Sequence, residues 1–301
     1  MLSGMTRRAP RVTLAKLHAT GNDFLVWSAL DSGTAPVVSA SVARALCDRH
    51  TGIGADGLIV LGPGQHGAHA TMTLHNADGE IAEMSGNGIR CLAWVAAAAG
   101  LGNDHLVVDT GAGRRSVDLE RDARGSVRAA TVDMGSVTFD PAAIPLDAPS
   151  PFDLVAEYHG VVYRGDAAGL GNPHFVCLVD DVTAARVTQH GPHLETDPRF
   201  PRRTNVEFVA LDGPNTLRMR VWERGVGETL SCGTGACAAA AVAHRRGLVG
   251  PRVTVRVPGG ELMVEVGDTI RLGGPVVHVF DVDIDLTEFA VAPAALTGDR
   301  S

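Results

Sequence analysis

The chain has almost no lysine, no long apolar run and no paired-cysteine motif. Lys16 is the sole lysine, with arginine supplying the remainder of the 26 Lys and Arg residues. A pyridoxal enzyme carries its cofactor as a Schiff base on a lysine side chain, so this sequence offers it one position only. The longest apolar stretch, around Ala236 to Ala243, stops at His244-Arg245-Arg246, far short of the ~20 residues of a membrane-spanning helix. The five cysteines, Cys47, Cys91, Cys177, Cys232 and Cys237, are odd in number and follow no C-x-x-C or Cys/His zinc spacing. Reduced thiols, no metal and a cytoplasmic location are the expectation. Met1 to Pro10 lacks the apolar core of a signal peptide. A formal charge of −8 is the wrong sign for a nucleic-acid binder. What remains is a soluble globular protein of 301 residues, 45% hydrophobic and 20% charged, large enough for two medium domains.

What the sequence does contain is a passage that occurs twice. Ser85-Gly-Asn-Gly-Ile-Arg-Cys-Leu-Ala-Trp-Val-Ala-Ala-Ala-Ala-Gly100 and Cys232-Gly-Thr-Gly-Ala-Cys-Ala-Ala-Ala-Ala-Val-Ala-His-Arg-Arg-Gly247 share a nucleophilic side chain, Gly-x-Gly, an apolar helical run and a closing glycine. The two copies keep register, because 232 − 85 and 247 − 100 both equal 147. The repeat extends upstream: Gly21-Asn22 has a counterpart in Gly171-Asn172, and Asn76 and Glu223 each precede their nucleophile by nine positions. A repeat that sets one reactive side chain at each of two matching helix N-termini points to a site made from two halves. One copy offers a thiol and the other a hydroxyl.

Patterning gives the same organisation. Strands are predicted at Val12 to Leu17 and Phe24 to Trp27, a helix at Ser39 to His50 with Ser39 or Ser41 as N-cap, and strands at Leu58 to Leu61 and Ala70 to His75. A buried helix over Ser85 to Ala99 precedes strands at Leu106 to Asp109, Ser116 to Leu119 and Val127 to Met134. Asp140 to Pro151 is a connector. The second half repeats the order, with strands at Val161 to Arg164 and Phe175 to Val179, a helix near Val182 to His190, strands at Val206 to Leu211 and Thr216 to Trp222, a second buried helix, and strands at Arg252 to Val257, Glu261 to Val266 and Ile270 to Gly273. A last strand, Val276 to Val282, is expected to return to the first half. The expected fold is α+β, with two pseudo-symmetric domains of mostly antiparallel strands, each around an apolar helix: 1–135 together with 276–290, and 136–275.

Two glycine motifs are decoys. Gly52-Ile-Gly54-Ala-Asp-Gly57 follows a helix and enters a strand, the reverse of the order a dinucleotide fingerprint needs. Gly233-Thr-Gly235-Ala-Cys-Ala238 has the right order, but its helix is followed by a hairpin through Pro258-Gly259-Gly260. Cys232, just before a helix, lies in the field of unsatisfied N–H groups that favours thiolate. Gly86-Asn87 and Gly233-Thr234 offer N–H groups that can hold a carboxylate. In Glu223-Arg224 the arginine can fork onto a carboxylate and the glutamate can accept an ammonium, as an amino-acid ligand requires, although such a pair also occurs as a surface ion pair. His174 is a candidate partner for the thiolate or a satisfied core residue.

With these residues assembled, the chain resembles the diaminopimelate epimerases. The resemblance runs through Gly21-Asn22-Asp23-Phe24, Asn76-Ala-Asp-Gly79, Glu83-Met84 with Gly86-Asn87-Gly88-Ile-Arg90, Gly171-Asn172-Pro173-His174, Asn205-Val206-Glu207-Phe208, Glu223-Arg-Gly-Val-Gly and Cys232-Gly-Thr-Gly235. It implies cofactor-free interconversion of LL- and meso-2,6-diaminopimelate in lysine biosynthesis, by a homodimer. One cysteine would remove the α-proton and another would deliver a proton to the opposite face. It further implies that Asn22, Asn76, Gly86, Asn87, Asn172, Asn205, Glu223, Arg224, Gly233 and Thr234 grip the substrate. Cys232 and the residue at position 85 would be catalytic, tuned by His174 and Glu223.

Ser85 departs from that pattern, which has cysteine there. A hydroxyl can donate a proton, but its alkoxide is far less accessible than a thiolate, so turnover is expected to be slow in both directions. A naturally serine-based donor, an introduced Cys-to-Ser substitution, and a relative with another reaction all fit the sequence. That other reaction would be a different racemisation, a dehydration, or amino-acid binding without turnover. Cys91, six residues on, lies about 120° around the helix from position 85 and does not replace it.

Overall fold

Two runs of elements repeat in the same order in the computed structural model, which describes residues 11–32 and 35–289. The first run is β1 (Arg11–Ala19), β2 (Asn22–Ser28), α1 (Ala40–Cys47), β3 (Gly57–Pro63), β4 (Ala70–Asn76), β5 (Ile81–Ala82), α2 (Gly86–Ala98), β6 (His105–Thr110), β7 (Gly113–Arg121) and β8 (Val127–Asp133). After β9 (Leu154–Tyr158) comes the second: β10 (Val161–Gly169), β11 (Pro173–Leu178), α3 (Val187–Glu195), β12 (Asn205–Gly213), β13 (Thr216–Glu223), β14 (Gly227–Thr229), α4 (Gly233–Arg245), β15 (Arg252–Val257), β16 (Gly260–Val266) and β17 (Ile270–Pro275). Strand β18 (Val277–Asp285) and the short α5 (Leu286–Phe289) follow.

The pairings repeat as well as the order. β1–β2 and β10–β11 are antiparallel, β2–β3 and β11–β12 parallel, β3–β4 and β12–β13 antiparallel, and β4–β6 and β13–β15 parallel. Antiparallel meanders β6–β7–β8 and β15–β16–β17 complete each run. Three pairings decide how the runs meet. β8 lies antiparallel to β17, with Val132 opposite Leu272, so the two runs share a seam. β9, which follows the first run, pairs with β10 of the second, and β18, which follows the second, pairs with β1 of the first. The fold is α+β, mostly strand, with a few helices.

Burial follows from what each strand faces. β3 is apolar throughout and buried through six consecutive residues because α1 packs on one face and α2 on the other. β16 alternates, Leu262 and Val264 inward and Glu261, Met263 and Glu265 outward, because only one face meets the core. The central helices α2 and α4 are enclosed by strands; Ile89 and Leu92 of α2 and Ala236 to Ala243 of α4 are buried. Each fully buried Ile or Leu contributes about 1.5–3 kcal/mol. Alanine in α4 contributes less per residue but lets the strands approach closely.

The terminal glycine of the repeat is a helix stop. Gly100 and Gly247 adopt φ +80° and +70°. In each helix the next residue, Leu101 or Leu248, donates to the carbonyl five residues back, on Ala96 or Ala243 (2.9 and 3.0 Å). The glycines themselves donate to Ala97 and His244 (3.0 and 2.9 Å), completing a left-handed cap that L-residues adopt reluctantly.

One predicted element is displaced: the helix near Val182 to His190 occupies Val187–Glu195. Asp181 Oδ1 accepts from the Thr183 N–H and hydroxyl (both 2.8 Å), turning the chain where the helix was expected to start. The helix then buries Val187, His190, Gly191 and Leu194, and a Cβ at Gly191 would stand 2.6 Å from the Trp222 ring. Ser39, not Ser41, caps α1 by accepting from the Val42 N–H (3.3 Å). Strands β5, β9 and β14 are additions that patterning did not reveal.

Candidate active site

The N-termini of α2 and α4 meet. A Cβ at Gly233 would lie 3.4 Å from the Gly86 Cα and 3.0 Å from Leu272 Cδ2, and one at Gly86 would lie 2.7 Å from that same methyl. Leu272, at the β8–β17 seam, thus packs over both glycines. This close approach explains the first glycine of each copy; a Cβ at the second, Gly88 or Gly235, would meet Ile59 (3.0 Å) or Glu207 (2.7 Å). The cleft above it has a volume of about 410 Å³.

Ser85 and Cys232 are the N-caps of these two helices. Ser85 Oγ accepts from the Gly88 N–H (3.0 Å) and Cys232 Sγ from the Gly235 N–H (3.4 Å), the same bond three residues on in each copy. Capping leaves the N–H groups of Gly86, Asn87, Gly233 and Thr234 without intrahelical partners at the cleft floor. The supporting loops match too. Asn22, the first residue of β2 after the β1–β2 turn, has its Oδ1 bonded by Asn87 Nδ2 (3.0 Å); Asn172, between β10 and β11, donates to Thr234 Oγ1 (3.3 Å). Asn87 and Thr234 each stand two positions after their cap.

Ten predicted site residues line this cleft: Asn22, Asn76, Ser85, Gly86, Asn87, Asn172, Glu223, Cys232, Gly233 and Thr234. His174, Asn205 and Arg224 stand behind its wall. His174 is fully buried, with Nδ1 2.7 Å from Glu207 Oε1 and Nε2 2.9 Å from Asn172 Oδ1. It therefore reaches the cleft through the Asn172 amide, and both its ring nitrogens are occupied. Asn205 donates to the Pro173 carbonyl (2.9 Å) and accepts from the Arg224 N–H (3.0 Å). The Arg224 guanidinium is turned to the Arg202 carbonyl (3.3 Å), while its neighbours Gly225 and Val226 form the cleft wall.

The electrostatics at Cys232 differ from the sequence-based expectation of a thiol eased toward thiolate. Burial pushes the thiol well above its ordinary value, and Glu223 and Glu207 push it further. The Thr234 hydroxyl and the Gly235 N–H pull the other way but are outweighed. A helix N-terminus favours an anion, but removal from water and two nearby carboxylates dominate. Burial also raises the Glu223 carboxyl, opposed by hydrogen bonds from Thr229 and Cys232. Glu223 thus shares the cleft with the Cys232 thiol and interacts with it directly. Cys47, Cys91 and Cys237, whose thiols burial pushes up to about 12, are away from the cleft.

Three further residues support the site. Asp56, in the motif set aside as a decoy, lines the cleft and accepts from Asn22 Nδ2 and Arg49 Nη2 (both 2.7 Å). Glu195 fixes the loop after β13, accepting from Trp222 Nε1 (2.7 Å) and the Gly225 N–H (3.0 Å). Glu207 lies fully buried beneath Cys232, and its Oε2 has no partner. The available signal was an acid inside the otherwise apolar run Val206 to Leu211. Lys16 is outside the cleft, bonded to Asp23 (2.5 Å) and to the Gly54 carbonyl. Among the described residues no cluster of three or more His, Cys, Asp or Glu side chains is placed to hold a metal ion, and no helix is long and apolar enough to cross a membrane.

Known proteins resemble this chain in sequence and in fold. The family model for diaminopimelate epimerase matches residues 14–139 and 167–278. The chain is 42% identical over 270 residues to a diaminopimelate epimerase of Pelotomaculum thermopropionicum, covering 88% of this chain and 96% of that one. It is 43% identical over 277 residues to one of Moorella thermoacetica, covering 90% and 98%. Among solved structures, a hydroxyproline epimerase from Agrobacterium vitis superposes with a TM-score of 0.68 at 17% identity, covering 93% of this chain and 92% of that one. A phenazine biosynthesis protein of the PhzF family from Bacillus anthracis gives 0.65 at 12%, covering 91% and 99%, so the fold is shared at identities where sequence says little. On the family match and these identities across nearly its whole length, the chain belongs to the diaminopimelate epimerase family.

Proposed function

We propose that this chain is an isomerase that interconverts LL- and meso-2,6-diaminopimelate by moving the α-proton between the two faces of the substrate, with Cys232 on one face and Ser85 on the other. The observation that carries this reading is the paired capping geometry: two proton-bearing side chains, each the N-cap of a central helix, open on one cleft floored by helix N-termini.

The steps follow from the residues present. The α-carboxylate sits on the N–H groups of Gly86, Asn87, Gly233 and Thr234, where helix dipoles and unpaired donors favour an anion. Glu223 accepts the Cys232 thiol proton. The resulting thiolate takes the α-proton, and the electron pair left on carbon spreads into the carboxylate, where the same N–H groups hold it. The Ser85 hydroxyl delivers a proton to the opposite face, and its alkoxide is restored by the proton that Glu223 took up, relayed through cleft water. In the reverse direction the serine side must remove the α-proton through the same transition state, so turnover is slow both ways. Asn22 and Asn172 orient the substrate. Asn76 lines the far wall, and the loop that Asn205 and Glu195 hold supplies Gly225 and Val226; Arg224, turned to the Arg202 carbonyl, would have to swing in to meet the distal carboxylate. His174 acts through Asn172. The chemistry is proposed to need no cofactor; the sole lysine stands outside the cleft.

The proposed working unit is a cytoplasmic homodimer. Each chain is divided as 1–135 with 276–290, and 136–275, the two parts flanking the cleft. Val277, Val279 and Phe280, exposed on β18 whose one strand partner among the described residues is β1, supply an apolar edge for such a dimer. Incubation of LL-diaminopimelate in D₂O tests the function. Meso product carrying α-deuterium is the expected result. Exchange without inversion would mean one working face, and binding with neither would reduce the chain to an amino-acid binder.

A further inference from the structure

Arg90 is a cation without a visible reason. It lies in α2, five residues after Ser85, and is 0% exposed. Its Nη1 donates to the Gly86 carbonyl (3.2 Å) and its Nη2 to Asn87 Oδ1 (2.8 Å), while Nε has no partner. Among the described residues no carboxylate pairs with it; the ionisable groups that act on it are the buried thiols of Cys91 and Cys237. Burial lowers its pKa to about 10, so it remains charged at neutral pH. Structural arginines in protein interiors are paired with acids, because an isolated buried charge is costly. An apolar side chain of the same length would fill this space more cheaply.

What Arg90 touches suggests its use. Guanidinium can only donate, so the oxygen of the Asn87 amide must face it and the NH₂ must point away. That NH₂ donates to Asn22 Oδ1 (3.0 Å) and to the Ser231 carbonyl (3.1 Å). Asn22 in turn donates to Asp56, which Arg49 holds from the surface. Asn87 therefore joins the loop bearing Asn22 to the residue immediately before Cys232, binding the two halves of the cleft together. With the amide reversed, its oxygen would face two other oxygens and both links would break. The guanidinium also lies beside the meeting point of two helix N-termini: Gly86 carries one of its acceptors, and Asn87 Oδ1 lies 3.6 Å from where a Cβ at Gly233 would stand.

We propose that Arg90 is a positioning residue for the substrate carboxylate: it sets the polarity of the Asn87 amide and adds a buried, otherwise unpaired positive charge to the anion cradle at the two helix N-termini. This rests on the epimerase reading of the cleft. The carboxylate gains negative charge as the α-proton leaves, so a fixed cation in a water-poor site acts most strongly on the transition state.

The test compares the unmodified chain with Arg90→Met and Arg90→Lys, measuring α-deuterium exchange of LL-diaminopimelate, calorimetric binding and thermal melting. Arg90→Met is expected to melt at or above the parent temperature, while kcat for exchange falls about 100-fold and KM changes by a few-fold at most. Arg90→Lys keeps the charge and loses the fork; it should fall about 10-fold or more in kcat, between parent and methionine variant. Arg90→Met with parental kcat and KM would overturn the proposal, as would a loss of activity that only tracks the fraction unfolded. Should the methionine variant fail to fold, the lysine variant decides, and parental kcat in it is the overturning result. A parent chain that neither binds nor exchanges the substrate removes the epimerase reading itself; an active parent with indifferent variants removes this proposal alone.

Discussion

Replacing Ser85 by cysteine should accelerate epimerisation by a large factor. The two caps are already matched: Ser85 Oγ accepts from Gly88 N–H at 3.0 Å and Cys232 Sγ from Gly235 N–H at 3.4 Å, and the larger radius of sulfur accounts for the difference. Sulfur at position 85 can take up the bond that the hydroxyl makes now, with Gly86 and Gly88 beside it as Gly233 and Gly235 are beside Cys232. An alcohol is about 7 pKa units weaker as an acid than a thiol of pKa ~8.5. If roughly half of that difference is expressed while the proton is in flight, the gain is about 10³-fold, within the ~10²–10⁴-fold that positioned acid–base groups supply. The assay is conversion of LL- to meso-diaminopimelate in D₂O under reducing conditions, since two thiols opening on one cleft can oxidise. Both directions should speed up equally, as reversibility requires. A folded Ser85→Cys variant with a titratable additional thiol and an unchanged epimerisation rate would refute the two-face reasoning.

Because the Cys232 thiol is held well above its ordinary value by burial and by Glu223 and Glu207, its ionised fraction at neutrality is small and grows with pH. The exchange rate at subsaturating substrate should climb from about pH 6 to about pH 9 without an early plateau; a flat profile over that range contradicts it. Gly235→Ala would place a Cβ 2.7 Å from Glu207 Oε1 and 3.3 Å from the Cys232 Cβ. It should destabilise by about 1–3 kcal/mol and reduce exchange at least tenfold, and a variant with parental melting and activity would disprove the close packing. Asp23 supplies a test remote from the thiol. Burial raises its carboxyl, but hydrogen bonds from Arg49 and Lys16 outweigh that and bring it from 3.8 to about 2. A depressed folded-state pKa stabilises above the unfolded value and is lost as pH falls, so about 2 kcal/mol should disappear between roughly pH 4 and pH 2. Asp23→Asn should remove most of that dependence, and an acid-unfolding curve identical to the parent's would contradict it.

The repeat, the two central helices and ten of the residues that line the cleft were legible in the sequence because they depend on local chemistry. Gly-x-Gly after a capping side chain, an apolar run and a terminal left-handed glycine specify a buried helix wherever it sits, and the spacing of Asn22 and Asn172 ahead of their helices marked the paired loops. The family assignment needed no more than those motifs in order. Tertiary structure decided what depends on who lies beside whom. It placed His174 behind Asn172, turned Arg224 away from the cleft and moved α3 five residues on, because Asp181 forms a local turn and Gly191 must meet Trp222. It brought Asp56, from a motif that reads as a nucleotide decoy, onto the cleft wall. It also reversed the expected acidity of Cys232: a helix N-terminus is visible in sequence, but desolvation and the carboxylates of Glu207 and Glu223 exist only once separate strands pack beneath the thiol. Arg90 shows the same division, since its position in α2 was plain from the sequence and its lack of any acid partner emerged only from packing.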